Sequence, residues 1–138
     1  YHAVAEARRR LAAAGFRELD EAETWRLAPG DRRFVCRGGG SLIAFEAGSL
    51  PLADAGLRAI GAHTDSPGLR LKPRGSDVSH GLRRLAVEPY GGVLLHTWLD
   101  RELGLAGRVS LVHEGVARTV LVDLRRPLAR IPSLAIHL

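Results

Sequence analysis

Several residue types are absent or rare in this 138-residue chain. It has no Met, Asn or Gln, a single Cys (Cys36), and one Lys (Lys72) among its 20 basic residues. One cysteine excludes an internal disulfide, and therefore a disulfide-stapled mini-protein, and it makes a reducing, cytoplasmic compartment the default expectation. Because the chain lacks an initiating Met, we expect it to be part of a longer translation product.

Long hydrophobic runs are also missing. No apolar segment approaches the roughly 18 to 20 residues that span a bilayer, and the first residues do not have the pattern of a signal peptide. Hydrophobic residues make up 46% of the chain and charged residues 25%, which is typical of a globular protein. A folded chain of this length buries roughly two-thirds of its extended surface, so we expect a hydrophobic core.

The charge balance is basic, with a formal net charge of +5 and a pI near 10.6. A basic domain is a candidate nucleic-acid-binding module. However, the arginines are scattered from Arg8 to Arg130 among acidic residues, and the densest cluster, Arg8–Arg10, follows Glu6 at helical spacing. Only three Phe, two Tyr and two Trp are available to stack on bases. This pattern disfavours nucleic-acid binding, whose signature would be steeply salt-dependent retention on DNA.

The first half of the chain predicts a helix followed by strands. Apolar residues recur every three or four positions over Ala3–Ala14, and Gly15 provides a helix stop. Thr24–Leu27 is predicted to be extended, and residues 33–45 a hairpin across the turn Gly38–Gly40. The mostly apolar run Leu57–His63 predicts a buried strand.

The second half of the chain predicts short strands without a helix. Pro73–Asp77 has the composition of a linker. Beyond it, the predicted strands are Arg83–Glu88, Val93–Trp98, Arg108–His113 and Arg118–Leu124. A helix-plus-strand section followed by an all-strand section indicates two structural units that meet near residue 74.

The most suggestive local feature is His63-Thr64-Asp65, at the end of the predicted buried strand. In an extended chain the side chains of residues i and i+2 point to the same side. A neutral imidazole there can bind a metal, with the neighbouring carboxylate orienting the ring. On spacing alone, such a pair is more often a structural hydrogen-bonded pair than a metal site.

Two further segments carry candidate residues. One of them comprises residues 87–92 (VEPYGG) and 96–101 (HTWLDR), which combine turn residues with Trp98 and with Asp100, a candidate for an ion pair across an interface. The alternative is a packed tryptophan with ordinary surface charges. Residues 131–138 form an apolar tail that contains His137.

These strings together resemble the M18 metallopeptidases, the aspartyl aminopeptidase family. The resemblance is carried by residues 61–73 (GAHTDSPGLRLKP), 87–92, 96–103 (HTWLDREL), 104–109 (GLAGRV) and the tail 131–138, in the family's order and spacing. The opening Tyr1-His2-Ala3-Val4 also resembles the family's first helix. The resemblance therefore extends over essentially the whole chain.

The resemblance implies an α/β fold: an α/β/α sandwich metallopeptidase domain interrupted by a β-rich dimerisation domain. Residues 1–73 would form the N-terminal part of the proteolytic domain, and 74–138 the start of the insertion. The implied function is a cytoplasmic, zinc-dependent aminopeptidase that uses two metal ions to remove N-terminal, often acidic, residues from peptides. Peptides are the implied substrates, homo-oligomers (dimers and dodecamers) the implied assembly, and neither nucleic acid nor membrane is an implied partner.

The resemblance also assigns roles to three residues. His63 matches the first metal ligand, and Asp65 matches the catalytic aspartate that steadies this imidazole. His137 matches a histidine that contacts substrate in a neighbouring subunit. The remaining metal ligands lie later in the family pattern, so we expect residues 1–138 alone to be inactive. The alternative is a non-catalytic remnant whose β section serves only in association.

Overall fold

The computed structural model describes residues 1–133, which divide into two compact units. The first consists of Tyr1–Asp65 and Gly107–Leu121, and the second of Ser66–Ala106 and the chain from Val122 onward. No helix in the described part of the chain is long and apolar enough to cross a membrane. The domain limits 1–73 and 74–138 that the resemblance implies stay a prediction.

The first unit begins with helix α1, His2–Ala13, one residue away from the predicted limits. Its end is a Schellman motif, because Gly15 donates to the Ala12 carbonyl and Phe16 to the Leu11 carbonyl, each over 3.0 Å. Gly15 adopts a φ of 85°, which glycine reaches without steric cost. The sequence prediction of both the helix and its glycine stop is confirmed.

A three-stranded sheet contacts α1. It contains β1 (Arg17–Glu18), β2 (Arg32–Arg37) and β3 (Ser41–Glu46), with β2 in the centre, parallel to β1 and antiparallel to β3. The β2–β3 hairpin turns at Gly38–Gly40 as predicted, with φ values of 57° and 64° at Gly38 and Gly39. After the sheet comes one short helix, α2 (Leu52–Ala55).

The second unit contains a long antiparallel hairpin, β4 (Gly68–Ser79) with β5 (Leu82–Tyr90). Its turn, His80-Gly81, has positive φ at both residues, 51° and 75°, as a two-residue type I′ turn requires. Residues 73–77 are therefore part of a strand, and the linker prediction is wrong. They contain most of a β-bulge, because Leu71 of β4 pairs with Val87 of β5 and the next pair is Ser76 with Leu85. Gly and Pro are common at bulges as well as in linkers, so the composition does not distinguish the two.

A second long hairpin follows, β6 (Leu103–His113) with β7 (Val116–Ala129). Its turn, Glu114-Gly115, also has positive φ at both residues, 51° and 76°. The part of this hairpin around the turn, Gly107–Leu121, belongs to the first unit, and the remainder belongs to the second. A short 3₁₀ helix, Leu95–Trp98, replaces the strand predicted at 93–98, and the Thr97 hydroxyl closes its turn by donating to the Leu94 carbonyl over 2.7 Å.

Two other predicted strands are absent. Leu57–His63 forms no strand and is exposed, Ile60 completely so. No strand in residues 1–133 pairs with it, and an apolar run cannot form a buried strand without a sheet to join. Thr24–Leu27 is also irregular, because Trp25 instead stacks on Phe45 at 6.3 Å and donates from its indole N–H to the Asp20 carbonyl.

The hydrophobic core is much smaller than the length of the chain led us to expect. In residues 1–133 the buried hydrophobic side chains are Val4 of α1 and Phe34 of β2. Large apolar residues of the hairpins stay exposed, among them Val78, Leu82, Val112 and Val116. A single sheet face buries its side chains only against a second layer. The described elements supply that layer in one place, where α1 meets the three-stranded sheet.

About half of the arginines are paired with a nearby carboxylate. Ion pairs join Arg9 and Arg10 to Glu6, and the others are Arg8–Glu18, Arg32–Glu46, Arg33–Asp31, Arg37–Glu21, Arg84–Asp77, Arg125–Asp123 and Arg130–Asp100. The Glu6–Arg10 pair, at 2.8 Å, is the one that the spacing predicts. Such exposed pairs add little stability.

Candidate functional site

The structure brings His63 and Asp65 together in the first unit. His63 Nδ1 lies 2.7 Å from the backbone oxygen of Asp65 and 3.4 Å from its carboxylate Oδ1. Because a carbonyl oxygen only accepts hydrogen bonds, Nδ1 has to carry the proton in this contact. The lone pair of the neutral ring then lies on Nε2, and the His63 side chain is 80% exposed. A histidine held through Nδ1 in this way has Nε2 as its remaining donor atom, the arrangement in which a ring nitrogen can bind a metal.

The Thr64 side chain connects the segment to the β2–β3 turn. Its hydroxyl donates to the Gly40 carbonyl over 3.0 Å. Gly40 lies at the end of the β2–β3 turn, so the hydrogen bond joins residues 24 positions apart in the sequence. The contacts of all three side chains follow the alternation expected of an extended backbone.

The glycine turn that accepts this bond is itself held in place. Arg108, in the middle of β6, donates to the Gly38 carbonyl over 3.0 Å and places its guanidinium 3.8 Å from the centre of the Tyr1 ring. A Cβ on Gly40 would lie 3.4 Å from the same ring. The turn is therefore contacted by Tyr1, which precedes α1, and by Arg108 of β6.

The donors in this segment suit zinc but do not complete a zinc site. Zinc binds imidazole nitrogen and carboxylate oxygen and takes at least three protein ligands. His63 Nε2 fits one such position. Residues 1–133 contain no group of three or more His, Cys, Asp and Glu side chains that could hold a metal ion. A complete centre therefore needs donors in addition to those described.

The second candidate segment, residues 87–101, is explained by packing and charge in the second unit. The ring of Trp98 covers Gly68, where an added Cβ would meet it at 3.7 Å. Asp100 accepts from the Ser133 N–H over 3.2 Å and lies 3.7 Å from Arg130. The hydrogen bonding of Ser133, assisted by the Arg130 charge, lowers the pKa of Asp100. The structure agrees here with the simpler of the two interpretations.

Of the three residues that the resemblance singled out, His63 and Asp65 lie side by side and His137 lies outside the described residues. Their roles stay predictions. Sequence reasoning missed Thr64 and its acceptor Gly40. The available signal was the alternation of side chains, which directs Thr64 away from its two neighbours, although nothing in the sequence identifies the group that it meets.

A comparison with protein families decides the relationship. The family model described as aminopeptidase I zinc metalloprotease (M18) matches residues 1–138. The chain belongs to the M18 family. The resemblance carried by the five strings is thus confirmed over the full length of the chain, and the family is one of aminopeptidases.

Individual M18 proteins match over the same length. The "Probable M18 family aminopeptidase 2" of Stutzerimonas stutzeri is 49% identical over 138 residues, which is all of this chain and 32% of that protein. The crystal structure of yeast aminopeptidase 1 (Ape1) matches with a TM-score of 0.86 and 37% identity over 97% of this chain and 32% of the yeast chain. A structure of the Ape4 and Nbr1 complex matches with a TM-score of 0.84 and 41% identity over 99% of this chain and 27% of that chain.

The chain therefore spans about a third of the length of the M18 relatives that it matches. Its fold is that of the corresponding part of an M18 protein. The described residues show mixed strands with few helices, and they do not by themselves form a sandwich of a sheet between two helical layers.

Proposed function

We propose that this chain supplies the N-terminal third of a zinc-dependent M18 aminopeptidase, which removes N-terminal acidic residues from peptides. The main support is the family match over all 138 residues. The exposed His63 imidazole, with Nδ1 held by the Asp65 carbonyl, adds chemical support from the residues themselves.

In this proposal His63 binds one of two zinc ions through Nε2. Asp65 steadies the ring from the Nδ1 side, through its carbonyl at 2.7 Å and its carboxylate at 3.4 Å. Zinc, when bound, supplies Lewis acidity and lowers the pKa of a coordinated water. The part played by this chain is to orient a neutral imidazole before the metal arrives. His137, outside the described residues, is proposed to contact substrate in a neighbouring subunit.

The proposed architecture is an α/β/α sandwich interrupted by a β-rich dimerisation domain, in a cytoplasmic homo-oligomer. The long hairpins support this, because β5 and β7 present exposed apolar side chains that a second layer would cover. A solved relative is itself recorded in a complex, that of Ape4 with Nbr1.

An aminopeptidase assay on the full-length gene product tests the proposal. We expect hydrolysis of N-terminal Asp and Glu substrates in preference to Leu, and loss of activity with a chelator. His63→Ala should lower kcat/KM by more than about 100-fold, since removing a ligand costs more than removing its outer-shell partner. His80→Ala, in the β4–β5 turn, is the matched control and should leave kcat/KM unchanged.

Two outcomes would contradict the proposal. Full activity of His63→Ala would remove the ligand assignment. A correctly assembled but inactive full-length protein would favour the non-catalytic alternative, in which this chain serves only in association. Residues 1–138 by themselves are expected to be inactive in the same assay.

A further inference from the structure

The segment that carries His63 has no regular structure to hold it. Residues 56–67, all of them described, form neither a helix nor a strand. A metal site nevertheless requires its ligands to stay close to one geometry, which supporting contacts around them usually ensure. Among the described residues, the orientation of His63 is set by the individual contacts that this segment makes within the first unit.

We propose that Thr64 is a positioning residue for the His63 imidazole, acting through its hydrogen bond to the Gly40 carbonyl. This inference rests on the proposed function, because it requires His63 to bind metal. The bond, 3.0 Å long, ties the backbone between His63 and Asp65 to the β2–β3 turn, independently of the contact between those two residues. It thereby fixes the Cα positions from which both side chains extend.

The acceptor is suited to this role because it does not move independently of the sheet. The Gly40 N–H donates to the Arg37 carbonyl over 3.1 Å, which closes the β2–β3 turn. The Tyr1 ring and the Arg108 guanidinium pack against the same turn. The turn that carries the Gly40 carbonyl is therefore held by its own closing hydrogen bond, by the Tyr1 ring and by Arg108 of β6.

The identity of the donor is also informative. A threonine side chain has restricted rotation about χ1 because of its branched Cβ, so its hydroxyl direction is tied to the backbone more tightly than that of a longer polar side chain. Serine retains the hydroxyl and loses the branch, and valine retains the branch and loses the hydroxyl. These two substitutions separate the hydrogen bond from the shape of the side chain.

The experiment uses the full-length gene product and the variants Thr64→Val, Thr64→Ser and His63→Ala. The zinc dissociation constant is measured by competition with a chromophoric chelator, and kcat and KM with an N-terminal Asp substrate. We expect Thr64→Val to weaken zinc binding about tenfold, at the lower end of the range for outer-shell partners, and to lower kcat with KM unchanged. Thr64→Ser should restore both values to within about twofold of wild type.

Thr97→Val is the matched control, because it removes a threonine-to-carbonyl hydrogen bond of 2.7 Å in the second unit. It should leave the zinc dissociation constant unchanged. If Thr64→Val does not fold, Thr64→Ala takes its place beside Thr64→Ser. Failure of both the valine and the alanine variants to fold would overturn the proposal in favour of a purely structural role.

The other outcomes distinguish a failure of this inference from a failure of the proposed function. Zinc binding by Thr64→Val within twofold of wild type would overturn the positioning role, and so would equal weakening by valine and serine. If His63→Ala keeps wild-type zinc affinity, the ligand assignment of the proposed function fails. Loss of zinc by His63→Ala with normal binding by Thr64→Val would leave the proposed function standing and remove only this inference.

Discussion

The two compact units differ in how their apolar side chains are placed. In the first unit α1 packs on a three-stranded sheet and Val4 and Phe34 are buried. In the described part of the second unit no side chain is buried, although its strands are longer and equally apolar. Hairpin pairing needs only neighbouring residues and a suitable turn, whereas burial needs a second layer. Strand formation and core formation are therefore separate events in this chain.

The largest expected effect compares Phe34 with Leu85 in the 138-residue chain. Phe34→Ala should lower the free energy of unfolding by about 3 to 5 kcal/mol, because it leaves a cavity under α1. Leu85→Ala, on the exposed face of β5, should change it by less than about 0.5 kcal/mol. Urea denaturation followed by circular dichroism measures both. Equal costs would show that the second unit buries its apolar face as well.

A smaller effect is expected at the β-bulge of the second unit. A Cβ on Gly75 would lie 2.9 Å from the Lys72 carbonyl oxygen and 3.1 Å from the Ala86 Cβ. Gly75→Ala should therefore cost about 1 to 3 kcal/mol through overpacking. Gly92→Ala is the control, since nothing lies within 4 Å of its added Cβ. Thermal midpoints of the two variants distinguish them, and an unchanged midpoint for Gly75→Ala would contradict the bulge geometry.

A stabilising change is expected at the tip of the β6–β7 hairpin. Glu114 adopts a φ of 51°, a conformation that asparagine tolerates better than glutamate. Glu114→Asn should raise the free energy of unfolding by about 0.5 kcal/mol. Glu102→Asn, which has no left-handed backbone to relieve, should give no gain. A destabilised Glu114→Asn chain in urea would argue against a type I′ turn at this position.

The smallest effect concerns pH and the first unit. Hydrogen bonds from Arg9 and Arg10 lower the pKa of Glu6 from its ordinary value of 4.5 to about 2. A carboxyl with a depressed folded pKa stabilises the fold above its unfolded pKa, and the contribution disappears as the pH falls through the folded value.

We therefore expect the helical circular dichroism signal to weaken slightly between about pH 4.5 and 2. The effect is small because the pair is exposed to solvent. Glu6→Gln should remove this component of the pH profile, and a profile identical to wild type would count against it.

Features that depend on neighbouring residues could be predicted from the sequence. The periodic apolar face and Gly15 predicted α1 within one residue at each end, and the Gly38–Gly40 turn predicted the β2–β3 hairpin. The proximity of His63 and Asp65 followed from the alternation of an extended chain.

Features that depend on distant partners could not be predicted in the same way. Leu57–His63 has the composition of a buried strand, but a strand exists only where another strand pairs with it. Pro73–Asp77 has the composition of a linker, and it was therefore predicted to be one. The sequence does not show that Asp77 faces Arg84 across the hairpin, which places this segment in a strand. The Thr64–Gly40 bond joins two segments without any shared local pattern.

The bulge in β4 has a consequence for changes in chain length. Residues 72–75 of β4, four in number, stand opposite Ala86 alone on β5, because Leu71 pairs with Val87 and Ser76 with Leu85. Pairing on the two sides of the bulge is set separately, by the turn at one end and by the Gly68–Tyr90 pair at the other. A gene that gains or loses one codon in this stretch would change the size of the bulge and leave both halves of the ladder aligned. We therefore expect the hairpin to accept a change of length at the bulge more readily than elsewhere along its two strands.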